Sequence, residues 1–381
     1  MKRLRSDILK GVKRIVIKIG SAVLTSPGSE GLDTSIIEEI VQQISDLKRS
    51  GFEIIIVSSG AIAAGIKALK LKEIPKSIPQ KQAVASVGQS HLIGTYERYF
   101  RREKQKVAQI LLTHDDLSNR IRYLNARNTL STLLSYGIIP IINENDTVAV
   151  QEIKVGDNDT LSAMVANLVS ADLLIILSDI DGLYNDDPSI NRSAKLIPII
   201  DKITPEIRRI AGGTLSLTGV GGMSTKIEAA RMVTSSGIPM IIVNGKKKGV
   251  IKKILNGKDI GTLFLPAEDR LRSRKNWIAY TLKPAGHIKV DDGAKKALIS
   301  NGKSLLPSGV LEVGGDFENG DSIRCLDKED REFARGLINY SSWDMMKIKG
   351  KHTSDIENIL GFKYYDEVIH RDDLVLLKTE E

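Results

Sequence analysis

Two polar tetrapeptides, Asn143-Glu144-Asn145-Asp146 and Gly156-Asp157-Asn158-Asp159, lie close together in this chain, each beside a strongly apolar run. Buried without partners, such carboxylates and amides would each cost several kcal/mol, roughly. Their placement therefore points to a ligand: groups of this kind hold an ammonium group, a metal ion or catalytic lysines. Lys18 is a further anomaly, because it interrupts Ile15-Val16-Ile17 and Ile19 in a run that reads as a buried strand. Buried lysines are rare unless paired. A catalytic cation accounts for it better than a lysine snorkelling from a strand end. The small-residue run Gly219-Val220-Gly221-Gly222-Met223-Ser224 opens a helix with Lys226 in its first turns. Such a terminus offers free backbone N–H groups to an anion, and Lys226 would add a mobile positive charge beside phosphate; the alternative is a surface turn with a solvated lysine. Ser59-Gly60 opens another helix in the same way, its glycine permitting close backbone approach to a ligand.

These groups need a frame. From residue 14 to about 243, short β-branched runs alternate with helical patterns, which is the signature of parallel βαβ units. Strands are expected at 15–19, 54–57, 107–112, 138–142, 173–177 and 240–243. Ile36, Ile37, Ile40, Val41, Ile44 and Leu47 share one helical face, with Asp33 or Thr34 as its cap. Further helices are expected at 60–69, 81–102, 122–136, 160–169 and 222–235. Open α/β sheets bind ligands beyond the carboxyl ends of their strands. Here those positions hold Lys18 to Ser21, Ser58-Ser59-Gly60, Thr113-His114-Asp115, Asn143 to Asp146, Ser178-Asp179 and Asn244-Gly245. Any one such loop is uninformative; glycine, hydroxyl, carboxylate and lysine converging on one edge read as an active site.

After Pro266 the texture changes to a charge-rich stretch and then, from Gly286, to short strand-like runs separated by Gly, Asn, Asp and Pro turns, consistent with a small β-barrel. The domains expected are 1–266, a linker at 267–282, a second domain at 283–363 with a short helix at 352–360, and a tail at 364–381.

Bulk properties narrow the setting. The chain has 381 residues, 41% hydrophobic and 27% charged, as in ordinary soluble globular proteins. Its net charge of +8 fits anionic ligands, nucleotide phosphates or RNA, without choosing between them. Lysines and arginines interrupt the apolar stretch a signal peptide would need after Met1-Lys2-Arg3, and no apolar segment approaches bilayer-spanning length. Cys325 is the single cysteine, which rules out an intrachain disulfide and a cysteine-built zinc cluster. A cytoplasmic protein is expected. Several nucleotide signatures fail on inspection. Gly302-Lys303-Ser304 lacks the glycine required at 297, where Ala297 stands, and the 219–224 run has serine where a dinucleotide fingerprint ends in glycine.

Taken in order, Val16-Ile17-Lys18-Ile19-Gly20-Ser21, Ser58-Ser59-Gly60-Ala61-Ile62-Ala63-Ala64-Gly65, Ile142 to Asp146, Lys154-Val155-Gly156-Asp157-Asn158-Asp159 and Gly221-Gly222-Met223-Ser224-Thr225-Lys226 resemble the glutamate 5-kinase family of amino-acid kinases. The second half is similar to PUA domains, small barrels otherwise seen in RNA-modifying enzymes. Serine at 58 and valine at 220 depart from the family's frequent threonines without removing a charge. The resemblance implies an αβα sandwich of three layers with a mostly parallel sheet. The activity it implies is transfer of the ATP γ-phosphoryl group to the γ-carboxylate of L-glutamate, at the start of proline biosynthesis.

By the same resemblance Lys18 and Lys226 bracket the transferring group, and Asp159 orients both lysines. Ser59, Gly60, Asp146 and Asn158 hold glutamate, with Asp146 on its α-ammonium, and Asn143 and Asp157 support them. Ser178, Asp179 and the run Val220, Gly221, Gly222, Met223, Ser224, Thr225 and Lys226 contact ATP, and Mg²⁺ rides on the phosphates with no dedicated protein metal site. Proline as inhibitor, a homo-oligomer (dimer or tetramer) and functional proximity to glutamyl phosphate reductase are implied as well. Two alternatives stay open. The acceptor could be N-acetylglutamate, aspartate, carbamate or a phosphorylated small molecule, although a carboxylate at Asp146 suits a free ammonium. RNA binding by the second domain is disfavoured, because Tyr340, Trp343 and Phe317 read as core and not as stacking platforms.

Overall fold

The computed structural model describes residues 2–25, 31–73, 75–148, 158–188, 190–213, 222–267, 284–363 and 365–377. Eight strands of the first half form one sheet: β1 (Arg14–Ile19), β2 (Glu53–Ser58), β3 (Val107–Leu112), β4 (Ile139–Glu144), β5 (Leu173–Ser178), β6 (Ile199–Ile200), β7 (Met240–Asn244) and β8 (Thr262–Phe264). Their order is β3-β4-β2-β1-β5-β7-β8-β6, parallel except where β8 runs against β7. The β-branched runs predict the first five strands and β7 to within a residue or two; β6 and β8 escaped that reading because two- and three-residue strands carry no periodicity.

Alternation along each strand divides the core. Ile15, Ile17 and Ile19 of β1 face one layer, built on the helices Thr34–Arg49 and Ile78–Arg102; Val16 faces the other, built on Asn158–Leu168 and Met223–Ser235. Lys18 belongs to the Val16 face by that same period. The result is the three-layer αβα sandwich, with both sheet faces covered as a parallel sheet requires. Local signals place the helices. Asp33 caps Thr34–Arg49 by accepting from Ser35 N at 3.1 Å and Ile36 N at 3.3 Å. Ser77 and Gln80 form a capping box at the start of Ile78–Arg102. That long helix crosses Ala61–Ala68 at glycines: a Cβ on Gly88 would lie 1.7 Å from Ala61 O, and one on Gly65 2.0 Å from Val84 O.

Contacts divide the chain into two compact units, 1–267 and 268–381. In the second, β9 (Gly286–Val290), β10 (Val310–Gly315), β11 (Ser322–Leu326), β12 (Glu332–Leu337) and β13 (Leu374–Leu376) form a sheet of order β10-β9-β11-β12-β13. Two expectations are corrected here. The stretch 364–381, read as a tail, supplies β13, which pairs antiparallel with β12 and buries Leu374 and Val375; its apolar run covers an otherwise open strand edge. Trp343, read as core, is 71% exposed, whereas Tyr340 and Phe317 are buried as expected. Lys347 Nζ stands 5.1 Å from the centre of the Trp343 ring. Apart from Ala267, the expected linker lies outside the described residues.

Candidate functional site

At the switch point of the sheet, the chain leaves β1 toward β2 on one side while β5 flanks it on the other, the place beyond the carboxyl ends of the strands where open α/β sheets form their ligand crevice. Lys18 lies near the end of β1, is 6% exposed, and points into the layer holding the helices Asn158–Leu168 and Met223–Ser235. Asp159, in the first turn of the former, is fully buried. Lys18 Nζ stands 2.5 Å from Asp159 Oδ1, and Lys226 Nζ stands 3.0 Å from Asp159 Oδ2. Thr225 Oγ1 lies within donating reach of both Asp159 Oδ2, at 2.9 Å, and Gly222 O, at 2.8 Å. Burial pushes the Asp159 carboxyl up, but the two ammonium groups overcome it and hold the group at about 2. One ionised carboxylate thus fixes two lysines and leaves the trio a net positive charge.

On the β2 side, Asn158 supplies a second knot. Its Nδ2 donates within reach of Asn143 Oδ1 at 2.8 Å, Ser58 O at 2.9 Å and Ser59 Oγ at 3.1 Å. Asn143 Oδ1 also receives Glu144 N at 2.9 Å. These bonds tie the ends of β2 and β4 to the start of the helix that carries Asp159. Gly60 turns the chain into Ala61–Ala68 at φ +105°, and a Cβ there would press on Leu24 and Leu32 at 3.3 Å. Asp146 lies half-buried in the turn after β4; burial raises its carboxyl to about 6, against a lowering contact from Gln89.

The β5 side differs in chemistry. Ser178 Oγ donates to Asp179 Oδ1 at 3.2 Å, and Asn244 Nδ2 reaches Asp179 O at 3.3 Å and Asp181 Oδ1 at 3.1 Å. Lys247 pairs with Asp181 at 2.7 Å. Met223 and Ser224 open the helix Met223–Ser235, whose N-cap is Gly222 with no side-chain cap; backbone donors left uncapped in a first turn are what an anion site requires.

The structure therefore joins Lys18, Asp159, Lys226, Thr225 and Gly222 in one cluster, and Ser59, Asn143 and Asn158 in another. Asp157, Val220 and Gly221 lie outside the described residues. Sequence reasoning missed Gln89, Tyr96, Asp181 and Lys247. Gln89 carried a signal: it occupies the stripe of Ala85, Leu92 and Tyr96 on the helix Ile78–Arg102, a polar residue in an apolar row. Tyr96 is fully buried, its hydroxyl 3.0 Å from Ser58 Oγ.

Both Asp159 oxygens face lysines, so this carboxylate presents no free edge to a cation.

Comparison with known proteins agrees with this chemistry. The amino acid kinase family matches residues 13–244, and the PUA domain matches residues 286–360. A glutamate 5-kinase from Thermoanaerobacter sp. (strain X514) is 52% identical over 97% of this chain and 99% of its own length. Glutamate 5-kinases from Caldanaerobacter subterraneus subsp. tengcongensis and Geobacter sulfurreducens are each 53% identical, over 97% and 98% of this chain and 99% and 100% of their own lengths. On the family match and on these near-full-length relatives, the chain belongs to the amino acid kinase family, in its glutamate 5-kinase branch.

Proposed function

We propose that this protein phosphorylates the γ-carboxylate of L-glutamate with ATP, giving L-glutamyl 5-phosphate and ADP, the first step of proline biosynthesis. The observation that carries the reading is the Lys18–Asp159–Lys226 cluster at the switch point of the sheet. A glutamate side chain, with a reference pKa of about 4.3, is already ionised at neutral pH and needs no general base. The barrier is electrostatic: an anion meeting a phosphate oxygen at about 4 Å faces roughly 4 kcal/mol per charge pair at an effective dielectric near 20. Lys18 and Lys226 offset that repulsion on the transferring group, and Asp159 keeps both ammonium groups in place. A Mg²⁺ ion, held through the nucleotide by the residues that hold its phosphates, would supply charge screening there.

Ser59, Gly60 and Asn158 hold the substrate, braced by Asn143 and Asp157, and Asp146 receives its α-ammonium group. Ser178, Asp179 and residues 220–226 hold ATP. Proline as an inhibitor at or near the glutamate subsite, a dimeric or tetrameric assembly, a cytoplasmic location and coupling to glutamyl phosphate reductase belong to the same reading and rest on the family resemblance alone. No helix among the described residues is long and apolar enough to cross a membrane.

The test is glutamate-dependent ADP release with the acyl phosphate trapped as a hydroxamate, run in parallel with N-acetylglutamate. Preference for the acetylated acceptor, or no hydroxamate with glutamate, overturns the proposal.

A further inference from the structure

The helix Ile78–Arg102 touches the acceptor end of the crevice along much of its length. Gln82 Nε2 donates to Thr147 O at 3.3 Å, Gly88 packs on the backbone of Ala61, and Tyr96 meets Ser58. Gln89 lies between these points and is 8% exposed. A buried amide is costly unless its hydrogen bonds are made. This one makes them with the site loop: Nε2 faces Glu144 O at 3.1 Å and Asp146 Oδ2 at 3.4 Å, and Oε1 receives Gln109 Nε2 at 3.5 Å. A donor on one side and two acceptors on the other set which way the amide points.

We infer that Gln89 is a positioning residue for substrate selection: it holds the turn after β4 and aims the Asp146 carboxylate at the α-ammonium group of the amino-acid acceptor. The inference rests on the functional reading above, in which Asp146 receives that ammonium. A neutral amide suits the task. It orients the carboxylate by donating to it but brings no charge to compete with the incoming cation, as a lysine or arginine at this position would. The backbone beside it is closely packed, since a Cβ on the adjacent Gly88 would lie 1.7 Å from Ala61 O.

The experiment measures KM for glutamate and for ATP in Gln89→Met, which keeps an unbranched side chain of similar volume, and in the same substitution on an Asp146→Asn background. Loss of a hydrogen bond to a charged group predicts a rise of about fivefold or more in the glutamate KM, with the ATP KM held within about twofold. On the Asp146→Asn background the substitution adds less than about twofold, because the group it acts through is gone. Gln82→Met, which removes a bond to the Thr147 carbonyl and leaves the Gln89–Asp146 contact in place, stays within about twofold for both substrates. If thermal melting shows that Gln89→Met does not fold, Gln89→Asn, with an amide too short to span the gap, carries the same expectation. An unchanged glutamate KM in a folded variant, equal increases on both backgrounds, or parallel increases for glutamate and ATP overturn the inference while leaving the kinase reading intact. Wild-type protein with no glutamate-dependent ADP release removes both.

Discussion

Lys18 Nζ and Asp159 Oδ1 lie 2.5 Å apart, joining the end of β1 to the first turn of a helix far along the chain, and Lys226 occupies the other oxygen of the same carboxylate at 3.0 Å. If the two lysines act on the transferring phosphoryl group, neutralising either removes charge stabilisation that no neighbour replaces. Lys18→Met and Lys226→Met should each lower kcat by about 10²–10³ or more. Lys226→Arg should not restore the rate, because a planar fork cannot reproduce a point charge on both the carboxylate and a phosphate. Steady-state ADP release with near-saturating substrates checks this; wild-type rates in both methionine variants would sink the mechanism.

Asp159 also carries an acid-stability signature. Its folded pKa of about 2 lies below the ordinary value of 3.8, so the ionised group stabilises the fold above that value, and the contribution is lost as pH falls from about 3.8 through about 2. Asp159→Asn removes the carboxylate charge that two buried ammonium groups share and should destabilise the first unit by on the order of 3–5 kcal/mol at neutral pH. Urea unfolding of both proteins should show the gap narrowing as pH drops through that window. A gap independent of pH would mean that the carboxylate is not the charged partner.

Asp146 behaves in the opposite sense. Burial raises its folded pKa to about 6, so the fold is favoured below the ordinary value of 3.8 and loses that contribution as pH rises through about 6. At neutral pH the ionised Asp146 is then a local liability in the ligand-free protein, and Asp146→Asn should raise stability by on the order of 1–2 kcal/mol. If Asp146 receives the α-ammonium group of glutamate, substrate binding runs the other way. The KM for glutamate should be flat above about pH 7 and climb as pH falls below about 6, whereas Asp146→Asn should be poor at every pH. Melting curves and KM between pH 5 and 8 test the pair of effects together, and a variant that lost stability while keeping the wild-type pH profile would remove Asp146 from the ammonium subsite.

Gly88→Ala should be severe. The added methyl would fall 1.7 Å from Ala61 O, so the helices Ile78–Arg102 and Ala61–Ala68 would have to separate at the point that supports Ser59 and Gly60. Overpacking of this kind costs about 1–3 kcal/mol, and more where the obstructing atom is backbone. Gly94→Ala on the same helix meets nothing within 4 Å and should be neutral to stabilising. Thermal melting of the two variants separates a steric requirement at 88 from a general intolerance of the helix.

The β-branched runs and the polar residues just beyond them are local features, so β1 to β5, β7 and the covering helices were legible from the sequence within a residue or two. Lys18 was recognisable as a charge out of place in an apolar run and Asp159 as part of a polar tetrapeptide beside one, whereas Lys226 stood only in the first turns of a helix opened by small residues and took its role from the family resemblance. Residues whose context is made by distant partners were not. Gln89 stands out as a polar residue in an apolar stripe, but its partners are undefined until β4 is laid beside it, and β8 has too few residues to declare itself before β7 offers an edge. Trp343 reads as core because aromatic rings usually are, yet helix packing turned it outward. The sequence by itself determined the sheet, the helices that cover it and the residue types that collect at its edge, because alternation and capping are properties of neighbouring residues. The resemblance named Asp159 as partner of both lysines, but only the tertiary structure set one lysine on each of its oxygens and brought a glutamine from another helix to a second carboxylate, because those relations depend on strand order and helix crossing, which no local pattern encodes.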